Sequence, residues 1–226
     1  MKRNYLIIGA SKGIGHQLYK SLSTKDRVFS ISRSEIPQAS DHFRCDILNE
    51  SLPEIDAQLD ALVYCPGSIN LKPFNLMTEN DFIADFEINV LGVIRVIKQY
   101  IKNLQQSKNA SVVLFSTVAV SKGMPYHASI ASAKAAVEGL TRSLAAEYAP
   151  QIRFNAIAPS LTDTELAVRL LRTEKQREAS AERHPMKRIG TATDIASAVE
   201  FLVSEKSSWI TGQVVHVDGG LSTLSI

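Results

Sequence analysis

The stretch YLIIGASKGIGHQLYKSL, residues 5–22, contains a complete unit of fold. It opens with a short apolar run of strand length, passes through the glycine-rich turn GASKGIG and continues as IGHQLYKSL, which has helical period. Gly9, Gly13 and Gly15 have no Cβ, so the turn can be tight and the backbone can approach a pyrophosphate. The helix that follows presents its N-terminus, which favours negative charge. A glycine pattern alone is a weak signal, but between a strand and a helix it marks a nucleotide site, with Gly9, Ser11, Lys12, Gly13, Ile14 and Gly15 as its candidate ligands.

The same alternation continues along the chain. After YLIIG come RVFSIS, HFRCDI, ALVYC, SVVLFS, IRFNAIA and QVVHV as further strand candidates. Helical periods are expected to begin near Gly13, Leu52, Asp81, His127, Thr164 and Thr193. Near-continuous apolar strands separated by helices predict a parallel sheet of about seven strands with helices on both faces, a doubly wound α/β fold. Ligands of such a sheet are expected where the carboxyl ends of the strands meet the following loops. No linker or composition shift divides the chain, so residues 1–226 are expected to be one domain.

Composition narrows the function classes. A net charge of +2 with both signs interspersed gives no footprint for nucleic acid. Cys45 and Cys65 have no metal-like spacing and are expected to be structural thiols in a reducing compartment; no metal site is expected. The start MKRNYLIIGA has basic residues before apolar ones, as a signal peptide does, but the apolar run ends at Ile8. That is too short for a signal core or a membrane span, so a cytoplasmic protein without membrane attachment is expected.

With these segments in place, the chain resembles the short-chain dehydrogenase/reductase family. The turn has that family's GxxxGxG spacing, although Ile8 stands where Thr is usual. DALVYCPG resembles the segment ending in NNAG, EINVLGV the helix carrying an active-site Asn, and FNAIAPSLTDT the PG loop. HPMKRIGTATDIASAVEFLVS and ITGQVVHVDGG are similar to its C-terminal third, so the likeness spans nearly the whole chain. It implies a Rossmann-type fold, a nicotinamide cofactor, a small-molecule substrate and a homotetramer or dimer built on the helix after His127 and its neighbour. Two departures stand out: Tyr64, Cys65 and Pro66 replace N-N-A ahead of Gly67, and Ser160 replaces the glycine of PG.

The end of the second strand selects the cofactor. An acidic residue there would bond a ribose 2′-OH and repel a 2′-phosphate; this chain has Ser32 and Arg33 instead. Arg33 is suited to bidentate contact with a phosphate, and Lys12 adds a second cation. Taken singly, both are ordinary surface cations; together at these places they select NADP(H). The resemblance further implies Asp46 and Ile47 at the adenine, and Pro159, Ser160, Thr162 and Thr164 around the nicotinamide. Cys65, Pro66, Gly67, Asn89 and Lys134 complete the expected cofactor contacts.

In the family, a Tyr four residues before a Lys protonates the carbonyl oxygen while hydride arrives at the carbon. Lys bonds the ribose and lowers the phenol's pKa, Ser or Thr orients the carbonyl, and an Asn supports a water. In this chain Lys134 of KAAVEGLTRSLAAE matches the Lys, Thr117 the Ser and Asn89 the Asn, but Ile130 occupies the tyrosine position. Loss of such an acid typically costs about 10²- to 10⁴-fold in rate. His127, seven residues before Lys134, lies within about 20° of it around a helix. Imidazole titrates near neutrality and is a candidate donor; its alternative role is to cap or pack the helix start. Tyr seven before Lys with Met four before it is the spacing of the enoyl-acyl-carrier-protein reductase branch, here filled by His127 and Ile130, though that branch has a longer nucleotide loop.

Three functions are therefore open at this point. The first is an NADP(H)-dependent carbonyl reductase, with a 3-oxoacyl-type substrate in view and His127 or water supplying the proton. The second is a non-enzymatic NADP(H)-binding sensor or assembly partner, and the third an enoyl-thioester reductase. The substrate pocket is expected to be shaped by residues 162 to 188.

Overall fold

The computed structural model of the protein describes residues 2–225. Its elements in chain order begin with β1 (Asn4–Ile8), α1 (Gly13–Leu22), β2 (Arg27–Ser32), β3 (His42–Arg44), β4 (Ala61–Tyr64), α2 (Glu79–Phe86) and α3 (Gly92–Gln105). They continue with β5 (Ala110–Phe115), α4 (Val118–Lys122), α5 (Ala128–Tyr148), β6 (Ile152–Pro159), β7 (Thr162–Asp163), α6 (Glu174–Glu182), β8 (Gly190–Thr191), α7 (Ala192–Val203) and β9 (Val214–Val217). Seven strands form one sheet in the order β3-β2-β1-β4-β5-β6-β9, with every neighbouring pair parallel. All seven anticipated strands are present, and the order reverses between β1 and β4, which places the crevice for ligands there.

Side chains alternate across the sheet. Leu6 and Ile8 of β1 face a layer containing Val93 and Val96 of α3 and Ala133 and Val137 of α5. Tyr5 and Ile7 face the opposite layer, with Leu18 of α1 and Ile195 and Val199 of α7. Each fully buried aliphatic side chain contributes about 1.5–3 kcal/mol. Burial on both faces is thus what the unbroken apolar runs encode.

One expected helix is absent. Leu52, Ile55 and Leu59 have helical spacing and do pack on the core, yet residues 51–60 are irregular. Their backbone is served from α3 instead: Asn103 Nδ2 donates to Ile55 O (2.7 Å) and Ala57 O (2.9 Å), and the Tyr100 hydroxyl donates to Pro53 O (2.6 Å). Pro53 itself has no N–H to give a helical ladder. The segment after Thr164 also differs: a 3-10 stretch, Glu165–Leu170, precedes α6, which restarts at a capping box between Thr173 and Gln176. The short β7–β8 pair ties the start of this excursion to its end.

Between α2 and α3 the helix widens into a π-turn, Glu87–Leu91, which carries Asn89. The Tyr64 hydroxyl, at the end of β4, donates to Ile88 O in that turn (2.5 Å). It reaches there because residue 92 is glycine; a Cβ at Gly92 would stand 2.3 Å from the Tyr64 oxygen.

Candidate active site

The turn after β1 is shaped by what a Cβ would strike. Gly9 (φ +80°) and Gly13 (φ +54°) adopt left-handed backbone, and a Cβ on Gly15 would lie 2.3 Å from Gly9 O. Helix α1 starts after Lys12 with no side-chain cap and no acidic residue in its first turn. Its first N–H groups and the positive end of its dipole are therefore left for an anionic group. Ser11 is half-buried in this turn, and Ile14 lines the cavity described below.

At the carboxyl end of β2, Ser32 is buried and its hydroxyl donates to Ser34 O (2.8 Å), so it serves the turn. Arg33 is exposed, as is Lys12. Arg44, opposite Ser32 across the β2–β3 register, donates from Nε to Arg33 O (3.3 Å) and brings a second guanidinium to this edge. Sequence reasoning missed Arg44, whose only signal is its place at the end of a strand paired with β2. The Asp46 carboxylate accepts from Asn49 Nδ2 (3.0 Å) and Leu48 N (3.1 Å). These bonds hold its pKa below the ordinary value, with Arg33 and Arg95 contributing and slight burial opposing. Ile47 is buried beside it, its carbonyl accepting from Arg95 (2.7 Å).

Past β4, the ring of Pro66 covers Gly9, where a Cβ would meet Pro66 Cδ at 3.1 Å. Cys65 is a free thiol on the cavity wall; burial pushes it up to about 12, against the pull of Lys134. Gly67 leads to the polar centre. Asn89, fully buried, donates from Nδ2 to Asp85 O (2.8 Å) and Ser68 Oγ (3.0 Å), while its Oδ1 has no partner. Lys134 is 8% exposed, and among the described residues its ammonium donates no hydrogen bond. Burial pulls it down to about 8 from its ordinary 10.5, opposed chiefly by Asp85.

Cys65, Gly67, Ser68 and Lys134 open on a cavity of about 480 Å³. Thr117, His127, Ile130, Lys134, Pro159, Ser160, Thr162 and Thr164 all line it, so the sequence-selected residues from three separate segments do converge. Thr117 caps α4, its Oγ1 accepting from Ala119 N (3.3 Å). Ile130 is 5% exposed and presents hydrocarbon where a phenol was expected. His127 stands at the start of α5; its Nδ1–H donates to Pro125 O (2.7 Å), which leaves Nε2 as the free ring atom. The remaining wall is mostly apolar, with Phe115, Leu161, Leu166, Leu170 and Leu221. One buried polar pair there was not anticipated: His184 donates from Nδ1 to Ser180 O (2.7 Å) and accepts from Ser160 Oγ at Nε2 (2.8 Å). An uncapped helix start, glycines that tolerate no Cβ, an orphaned amide oxygen and a buried ammonium together fit a nicotinamide dinucleotide.

Comparison with known proteins agrees. The sequence profile of a family described as enoyl-(acyl carrier protein) reductase matches residues 39–222. A 3-oxoacyl-(acyl-carrier-protein) reductase, FabG, from Rickettsia felis is 29% identical, over 96% of this chain and 95% of its own. Among solved structures, the ligand-free aldohexose dehydrogenase of Thermoplasma acidophilum superposes with a TM-score of 0.90 at 29% identity, covering 99% of this chain and 95% of that one. ElxO with NADP bound superposes with a TM-score of 0.85 at 29% identity, covering 99% and 100%. No helix among the described residues is long and apolar enough to cross a membrane.

Proposed function

This chain belongs to the short-chain dehydrogenase/reductase family, and we propose that it is an NADP(H)-dependent reductase of carbonyl compounds, 3-oxoacyl types among them, whose proton donor is not a tyrosine. The observation that carries the proposal is the unpartnered Asn89 Oδ1 beside the Lys134 ammonium, the two meeting at Gly67, which with Lys134 lines a mostly apolar cavity. The preference for NADP(H) is supported by Arg33 and Arg44 at the edge where a carboxylate would select NAD, and by the NADP held by ElxO.

When bound, the reduced cofactor supplies hydride. The chain's own residues then have separable tasks. The start of α1 and its glycines hold the phosphates, and Arg33, with Lys12 and Arg44, holds the extra phosphate. Lys134 and Asn89 take the ribose hydroxyls near Gly67. Thr117 orients the substrate carbonyl from the head of α4. His127, in its imidazolium form, gives up the Nε2 proton to the carbonyl oxygen and keeps its Nδ1–H on Pro125 O, the ring then regaining a proton from solvent. The apolar wall excludes water from the reacting carbon. Ala135 and Gly139 leave an exposed small-residue face on α5, which supports dimer or tetramer assembly through that helix.

The test is NADPH oxidation against ketones, aldehydes and enoyl thioesters, with His127→Ala alongside. Turnover of ketones that falls about 10²-fold or more in the variant supports the reading; equal turnover removes His127 from the mechanism, and preference for enoyl thioesters reassigns the substrate. The buried Ile130 favours one rival, a non-enzymatic NADP(H)-binding protein. That rival requires saturable NADPH binding with no turnover of any substrate.

A further inference from the structure

The site contains one buried charge that the scheme above does not use. Asp85, on α2, is 2% exposed. Its Oδ1 accepts from Ser68 Oγ and its Oδ2 from Ser129 Oγ, each at 2.5 Å, so both oxygens act as acceptors. Its backbone carbonyl holds the Asn89 amide, and Ser68 Oγ accepts from that same amide. A carboxylate this deep is costly to bury unless hydrogen bonds and an opposite charge offset the cost. Two hydroxyls supply the first. For the second, no cation lies within 4 Å of Asp85 among the described residues, but Lys134 is the cation nearest in the network. Its Nζ and Asn89 Oδ1 flank Gly67, 3.6 and 3.3 Å from a Cβ placed there; Asn89 hangs from Asp85 O and Ser68, and Ser129, which bonds Asp85, lies on the same helix as Lys134.

We propose that Asp85 is a positioning residue of this active site, the counter-charge that keeps the Lys134 ammonium protonated at the cofactor pocket and, through Ser68, fixes Asn89 beside it. The arrangement explains how a lysine that lacks its phenol neighbour remains charged although its side chain is buried at the cavity wall. The other ionisable groups around the pair are accounted for. Cys65 faces Lys134 from the end of β4. On α5, His127 is bound to Pro125, and Glu138 accepts from Ser116 and pairs with Arg142. On α2, Asp81 pairs with Lys72. Asp85 is left as the carboxylate without a cation of its own.

The inference uses the proposed cofactor site for its meaning, but its test reads the ligand-free protein, so a failure to bind NADPH would sink that site and leave this result separate. The rate at which acetic anhydride modifies Lys134 is followed across pH by mass spectrometry in the wild type and in Asp85→Asn. The wild-type midpoint is expected near 8. In Asp85→Asn it is expected to fall by about one pH unit, a tenfold weaker hold on the proton. An unchanged midpoint overturns the proposal. A thermal-unfolding cycle with Lys134→Met covers the case in which Asp85→Asn folds poorly. If the charges are partners, the Asp85→Asn/Lys134→Met double variant loses less stability than the two single losses combined, and recovers a fold that Asp85→Asn alone has lost. Additive losses, or a double variant no better folded than Asp85→Asn, overturn it equally.

Discussion

The side-chain oxygen of Asn89 and the ammonium of Lys134 border the same atom, the Cα of Gly67: a methyl added there would stand 3.3 Å from Oδ1 and 3.6 Å from Nζ. Asn89 cannot retreat, because Ser68 and Asp85 O hold its amide. Gly67→Ala is therefore expected to leave the fold intact but fill the space where ribose hydroxyls would meet these two groups. Calorimetric titration with NADPH should show about tenfold weaker binding or more, equivalent to about 1.4 kcal/mol, with little change in melting temperature.

Ile130 supplies no exchangeable proton, so Ile130→Tyr places a phenol four residues before Lys134. If the acid is all that limits the reaction, ketone reduction should rise by about 10²- to 10⁴-fold in kcat. No gain, with NADPH affinity unchanged, would mean that the pocket has diverged as well.

Lys134 also links stability to pH. Its folded-state pKa is about 8 and its ordinary value 10.5. Between those values the unfolded chain binds more protons at this site than the folded one, so the site's contribution to stability rises with pH. The penalty for the buried charge is fully present below 8 and fades toward 10.5. Lys134→Met removes this slope. Relative to wild type, the variant's stability should decline by up to about 3 kcal/mol from neutral pH to 10.5, measurable by urea unfolding at a series of pH values.

Arg33 is exposed and at the edge of the sheet, so its replacement should not disturb the core. Charge-assisted hydrogen bonds contribute about 1.5–3 kcal/mol. Arg33→Ala should weaken NADPH by about 10- to 100-fold with NADH nearly unaffected, and Arg44→Ala should act in the same direction if both guanidiniums share the 2′-phosphate. Fluorescence titration with each coenzyme checks this.

What sequence could reveal follows the physics of each part. Strands buried on both faces announce themselves as apolar runs, and the half-exposed edge strands β3 and β9 were legible beside them. The stripe of Leu52, Ile55 and Leu59 misled because burial was real but the hydrogen bonds came from Asn103 and Tyr100, about 50 positions later in the chain. The candidate site was legible wherever a residue type has to occupy a fixed offset, as Lys134 and Ile130 do. Asp85 was not. Although it lies one helical turn before Asn89, its importance comes from Ser68 and Ser129, which only the folded chain brings to it. His184 escaped for the same reason, since its partner Ser160 is 24 residues away.

The fit of the Tyr64 phenol against the bare backbone of Gly92 works in one direction only. Shrinking residue 64 leaves a buried gap and frees Ile88 O but makes no clash, whereas enlarging residue 92 drives a Cβ into an oxygen 2.3 Å away. Substitution at 64 must therefore precede any at 92, because the opposite order forces the asparagine-bearing π-turn away from the end of β4.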